Sequence, residues 1–173
     1  GHISRSPAQF NSDKLRWLNQ QYLKAADDGR LAHAVAPRIE RDGGTLAGGP
    51  PLERVVALLK ERTETLAQLA DEAMLFYANR EPSAELIEEH ITPEVKPALA
   101  ELATRLQGLG DWSAEAINVE VQVVAKARGL KMAKLAVPLR VLVFGVAQTP
   151  SLSPVLALVG KERVITRIRC RVH

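Results

Sequence analysis

The sequence has little with which to do chemistry. Its one cysteine, Cys170, can form no internal disulfide, which fits a reducing compartment. Its four histidines, His2, His33, His90 and His173, fall at no metal-ligand spacing. No GxSxG elbow, HExxH helix or GxxxxGK[ST] phosphate loop occurs. The glycine-rich stretch Gly43 to Pro51 (GGTLAGGPP) lacks the lysine that such a loop requires. Aromatic residues make up only 4% of the chain, so any core must be built mainly of Leu, Val and Ala. No run of 18 apolar residues exists, and none of the chain reads as a membrane span. No strand alternation, sustained heptad or internal repeat is present.

What is present suits helices. Apolar residues make up 46% of 173 residues, enough for one large domain or two small ones, and Ala and Leu are strong helix formers. The net charge of +3 is unevenly spread: residues 1–50 carry +2, residues 51–110 carry −5 and residues 111–173 carry +6. A basic last third is the footprint of a polyanion-binding face, and also of helices that simply solvate themselves with Lys and Arg. Gly1-His2 is neither a natural start nor a signal peptide and reads as a residue of cloning, so the chain is expected to be an excised piece.

In chain order, residues 3–10 read as irregular, with Asn11 or Ser12 capping a helix from Asp13. Leu15, Leu18 and Tyr22 share one face of that helix. A second helix is expected from Arg30 to Arg41, broken or restarted by Pro37. GGTLAGGPP reads as a connection. Helix is expected from Leu52 to Ala78, with a break near Asp71. Leu52, Val55, Leu59, Arg62, Leu66 and Leu69 follow one helical face. Arg62 interrupts that apolar stripe, and a guanidinium there needs a carboxylate, backbone carbonyls or a ligand, unless it snorkels at the edge.

Asn79 to Ser83 (NREPS) is a second boundary. Helices follow at Ala84–His90 and Pro93–Gln107, then from a Ser113 cap to Arg128 and from Lys131 to Phe144, where Pro138 bends the helix or marks its first turn and Gly145 ends it. A last helix starts at Ser153-Pro154 and carries Leu156, Val159, Val164 and Ile168. The reading is all-α, with short helices and loops in two lobes. The residues alone leave RNA binding, protein interaction and a purely structural role open.

Several ordered tokens carry a resemblance. They are KLxWLNxxY (Lys14, Leu15, Trp17, Leu18, Asn19, Tyr22), LKERTETL (Leu59 to Leu66), GDWSAEAI (Gly110 to Ile117), PLR (Pro138-Leu139-Arg140), Gly145, TP (Thr149-Pro150) and GKER (Gly160 to Arg163). In this order they resemble the C-terminal region of bacterial glutamyl-tRNA synthetases, over nearly the whole chain. The resemblance implies an all-α, two-lobed helical bundle, the α-helical cage type of class I synthetase anticodon-binding domains. It implies that residues 1–48 end a stem-contact or linker region. Residues 49–82, with the preceding helices, form a first anticodon-binding subdomain, and residues 83–173 a second.

The family's enzyme makes glutamyl-tRNA with ATP and magnesium on a Rossmann domain that carries HIGH and KMSKS signatures. Neither signature is here, and Lys131-Met132-Ala133-Lys134 matches the second only superficially. The resemblance therefore implies an aminoacyl-tRNA synthetase part that is inactive alone and has no catalytic residue, metal or cofactor of its own. Its partner is tRNA(Glu), and it is a cytoplasmic monomer without a membrane contact.

By the same resemblance Arg62 reads the third anticodon base, a cytosine. Its donor fork meets O2 and N3 there, whereas guanine presents donors at that edge. Arg140, Thr149, Pro150 and Leu152 match the cradle of the first anticodon base. Lys131, Lys134 and the basic last helix are candidate phosphate contacts or simply solvate the surface. Trp17 and Tyr22 could stack bases, but they, Leu18 and Trp112 read rather as packing residues. Two other readings remain: a reader of tRNA(Glu) and tRNA(Gln) alike, and a helical protein-interaction module with no RNA role. The GGTLAGGPP connection and the RIRCRVH end depart from many family members.

Overall fold

Short polar side chains start four of the helices, each by accepting a hydrogen bond from a first-turn N–H that has no partner within its helix. Asp27 accepts from Arg30 N, Thr65 from Gln68 N, Ser83 from Leu86 N and Ser113 from Ala116 N, at 3.0–3.2 Å. The structure, a computed structural model, describes residues 7–172, with side chains from Ser12 onward. Every regular element among the described residues is helical. In order these are α1 (Pro7–Ala25), α2 (Asp28–Arg41), α3 (Leu52–Leu59), a 3-10 turn (Lys60–Arg62), α4 (Leu66–Tyr77), α5 (Ala84–His90), α6 (Lys96–Gln107), α7 (Ala114–Ala127), α8 (Met132–Phe144), α9 (Leu152–Val159) and α10 (Lys161–Arg169). None is long and apolar enough to cross a membrane. The chain divides into two compact units, Gly1–Ala78 and Asn79–His173.

In the first unit α2 packs on α3 and α4. Leu31, Val35 and Ile39 meet Val55, Leu59, Leu69 and Ala73, all fully buried or nearly so. The GGTLAGGPP connection wraps Tyr77. Thr45 N donates to the Tyr77 carbonyl at 2.8 Å, and the Tyr77 hydroxyl donates to the Pro50 carbonyl at 2.7 Å. This stretch is a structural connection, as its composition indicates.

Several boundaries differ from expectation. α1 already includes Pro7 to Ser12 rather than starting at Asp13, and residues 3–6 of the stretch expected to be irregular lie outside the described residues. α2 runs through Pro37 unbroken. The helix expected over Leu52–Ala78 breaks at Arg62–Thr65, not at Asp71. There the chain turns extended, Thr65 caps α4, and Gln68 Oε1 accepts from Glu64 N at 2.9 Å, a close variant of the capping box. Arg62 therefore lies past the end of α3 and interrupts no buried stripe.

Trp17, Leu18 and Tyr22 are not packed as expected. They are 58%, 44% and 55% exposed. α1 touches its unit around the 3-10 turn and buries Leu23 near its C-terminal end.

In the second unit α6 packs on α7 and α10, and α7 packs on α8 and α9. Leu99, Leu102, Leu106, Ile117, Val121, Leu135, Leu139, Leu156, Val164 and Ile168 are fully buried. α6 begins at Lys96 rather than Pro93, because Val95 N and Lys96 N both donate to the Thr92 carbonyl in a tight turn that precedes it. The expected last helix is two helices, α9 and α10, parted at Gly160 with φ +100°. Pro138 lies within α8, buried, and is not its first turn. Trp112 is a packing residue, as expected: its indole N–H donates to the Leu156 carbonyl at 3.3 Å and ties the loop before α7 to α9.

Candidate nucleic-acid interface

The residues singled out in the sequence fall in both units, and each unit is described by itself.

In the first unit the Lys60-Glu61-Arg62 turn divides its charges between inside and outside. Lys60 is largely buried. Its ammonium reaches Asp28 Oδ1 at 2.8 Å and donates to the Ala26 carbonyl at 3.2 Å. This clamps the turn to the start of α2. Arg62, two residues on, is half exposed and pairs through Nε with Glu72 Oε2 at 3.1 Å. The ion pair with a Glu answers the guanidinium's need for a partner. It engages Nε and leaves the other donors of a half-exposed side chain for a further partner. Beside the turn, Asn19, Tyr22, Leu23, Glu64, Thr65 and Leu66 enclose a crevice of about 250 Å³.

In the second unit Arg140 sits on α8, with its Nε donating to Thr149 Oγ1 at 2.8 Å. The Thr149 hydroxyl donates onward to the Pro150 carbonyl at 2.7 Å. This strut spans the loop between α8 and α9. Burial holds the Arg140 pKa below the usual guanidinium value, although the group stays charged. The loop is launched by Gly145 in the left-handed conformation, φ +74°, where the N–H donates back to the Val141 carbonyl. A Cβ at Gly145 would lie 2.6 Å from the Arg80 carbonyl oxygen, so both the turn and the close approach call for glycine.

Arg140 lines a crevice of about 510 Å³ whose walls include the starts of α7 and α9. Leu152, the first residue of α9, is on its wall, 8% exposed. Arg140 and Thr149 meet directly, and Arg140 and Leu152 share the crevice. Sequence reasoning missed the α7 side of this crevice, Glu115 and Asn118, and also Met132 and Ser153. The signal available was the spacing of Met132, Ala136 and Arg140 along one helical face.

Lys131 and Lys134 are not part of this crevice. They line another, of about 350 Å³, with Glu89, His90, Glu94, Val137 and Pro138. Both are exposed, as a phosphate contact requires, but they lie around α8 from Arg140. Near the chain's end Arg167 is half-buried. It donates to the Val143 carbonyl, and to Asn79 Oδ1 at 3.3 Å. Burial and the nearby Arg163 hold its pKa down. Part of the basic charge of the last helix is thus structural. Among the described residues no group of three or more His, Cys, Asp and Glu could hold a metal ion.

The arrangement presents guanidinium donors at the edge of one crevice and on one exposed turn. Comparison with known proteins agrees with a recognition surface. Residues 16–172 match the family model described as anticodon binding domain. The chain is 54% identical to a glutamate–tRNA ligase of Thiobacillus denitrificans, over 97% of this chain and 35% of that protein. It is 47% identical to one of Nitrosospira multiformis, over 96% and 36%. It spans about a third of the length of these curated relatives. Among solved structures, a glutamate tRNA ligase from Elizabethkingia meningosepticum superposes with a TM-score of 0.75. That match is at 24% identity and covers 91% of this chain and 31% of that one. It bears on the fold, which is all-helical in this region.

Proposed function

The chain belongs to the anticodon binding domain family, and from that premise we propose that it is the anticodon-binding part of a glutamate–tRNA ligase and recognises tRNA(Glu). Its role is to hold the anticodon loop while a catalytic part of the longer protein, using ATP and magnesium, attaches glutamate at the far end of the tRNA. The chain itself does no chemistry. Anticodon bases are unstacked and read on their open edges, which suits pockets rather than grooves.

The observation that carries this reading is the Arg140 crevice. A guanidinium is held there by Thr149, beside the apolar Leu152, in a space of about 510 Å³. That volume lies within the range of about 300–1,000 Å³ typical of small-molecule pockets. The guanidinium is fixed before the ligand arrives, so little ordering entropy is lost on binding. In the first unit Arg62 offers its remaining donors to the O2 and N3 acceptors of cytosine at the third anticodon position. A guanine there presents donors and repels them. Lys131 and Lys134 contact phosphate and make binding salt-dependent.

The test is binding to two anticodon stem-loops that differ only at the third anticodon base, C or G, across a salt series. Preference for C that is lost in Arg62→Gln supports the reading. Equal binding of both loops identifies a reader that does not separate tRNA(Glu) from tRNA(Gln). No binding at low salt points to a protein-interaction module instead.

A further inference from the structure

We infer that Asn118 is a specificity-determining residue of the Arg140 crevice, its side-chain amide donating to the O2 acceptor of an unpaired pyrimidine. The inference rests on the anticodon-binding reading and extends it to a residue of α7 that lies just outside the ordered tokens of the sequence.

Three observations carry it. Asn118 and Arg140 stand on different helices and line the same crevice, so their donors can converge on one planar ligand. The Ser153 hydroxyl lies 3.5 Å from Asn118 Oδ1. As a donor it engages the carbonyl end of the amide, which leaves the NH2 end, with its two donors, for a ligand. Arg140 is fixed in the same way, since Nε is taken by Thr149, which leaves its other donors for a ligand. The site is thus a pair of donors anchored on two helices.

The choice of a base over a phosphate follows from Glu115. Its carboxylate lines the same crevice and repels an anion placed there, whereas it leaves a neutral base unharmed. Met132, Ala136 and Leu152 supply the apolar surface that a ring face prefers, with the methionine adapting to ring shape. The choice of a pyrimidine follows from the donors. Cytosine and uracil both present O2 as an acceptor beside N3. Guanine presents the N2 amino group and N1–H on the corresponding edge, and adenine has no carbonyl there.

The test uses the full chain and four anticodon stem-loops with C, U, A or G at the first anticodon position. The wild type is expected to bind the C and U loops about three- to tenfold more tightly than the A and G loops, the worth of one neutral hydrogen bond. Asn118→Asp keeps the size of the side chain and replaces the donor by an acceptor. It is expected to abolish that preference by weakening C and U binding. Asn118→Ala, with an unchanged melting temperature as its check on folding, is expected to do the same. If either variant keeps the wild-type preference, the inference is overturned. Equal weakening of all four loops overturns it too, because Asn118 then acts without reading the base. Wild-type binding equal for all four loops overturns the inference alone. A wild type that binds no loop overturns the anticodon reading and the inference with it.

Discussion

Arg140 Nε donates to Thr149 Oγ1 at 2.8 Å, from the last turns of α8 to the loop that follows it. The threonine is an acceptor toward the guanidinium and a donor toward the Pro150 carbonyl, so a single hydroxyl fixes both the cation and the backbone that leads into α9. Because the guanidinium is partly desolvated, its position depends on that acceptor more than an exposed arginine's would.

Thr149→Val keeps the shape of the side chain and removes the hydroxyl. Loss of a hydrogen bond to a charged group costs about 1.5–3 kcal/mol. Part of this is expected to appear as a lower melting temperature and part as weaker binding of the anticodon stem-loop. Thermal unfolding and a binding titration on the same variant check both. Unchanged binding with lowered stability would make the strut purely structural.

Gly145→Ala and Gly129→Ala form a matched pair. Both glycines have positive φ, +74° and +64°, but a Cβ at Gly129 meets nothing within 4 Å whereas one at Gly145 meets the Arg80 carbonyl at 2.6 Å. The left-handed conformation alone costs about 1–2 kcal/mol. Gly129→Ala is expected to lose roughly that amount and Gly145→Ala distinctly more. Urea midpoints measure the difference, which isolates the close approach of α8's end to the chain at Arg80.

Tyr77 supplies a pH test. Burial, and then the charge of Glu53, push its phenol well above the ordinary tyrosine range, while the unfolded chain titrates it near about 10. A pKa raised in the fold means that the unfolded state releases the proton first. The stabilisation from the neutral phenol is complete below the unfolded pKa and is lost progressively as pH rises above it. Stability is expected to fall with pH above about 10, with a shallower fall in Tyr77→Phe. At neutral pH that variant is expected to be less stable by about 1–2 kcal/mol, through the unpaired Pro50 carbonyl. Melting temperatures of both proteins across the alkaline range decide it.

Much of the helical pattern was legible because its causes are local. Ser83 and Ser113 announce α5 and α7 since a cap bonds an N–H three residues on, and Gly145 announces the end of α8 since the left-handed turn bonds four residues back. The stripe from Leu52 to Leu69 misled because periodicity continues in register through a break. The marker of that break, Thr65 followed by Gln68, is a pair of polar residues rather than a Gly or Pro. Pro37 misled in the opposite direction. Its helix continues around a missing N–H, because burial of residues such as Val35 and Ile39 on the same helix outweighs the lost bond.

The sequence by itself determined that this is a helical protein, and its ordered tokens were enough to identify the family. Tertiary structure decided which of the marked residues meet. It put Arg140 against Thr149 and brought Asn118 and Glu115 to the same crevice, while it set Lys131 and Lys134 beside a different one. It also left Trp17 and Tyr22 on the surface and set Arg62, half exposed, beyond the end of α3. The physical reason is range. Helices are closed by hydrogen bonds within four residues, whereas the crevice exists only where α7, α8 and α9 bury Ile117, Val121, Leu139 and Leu156 in one core, and no local pattern encodes which helices share it.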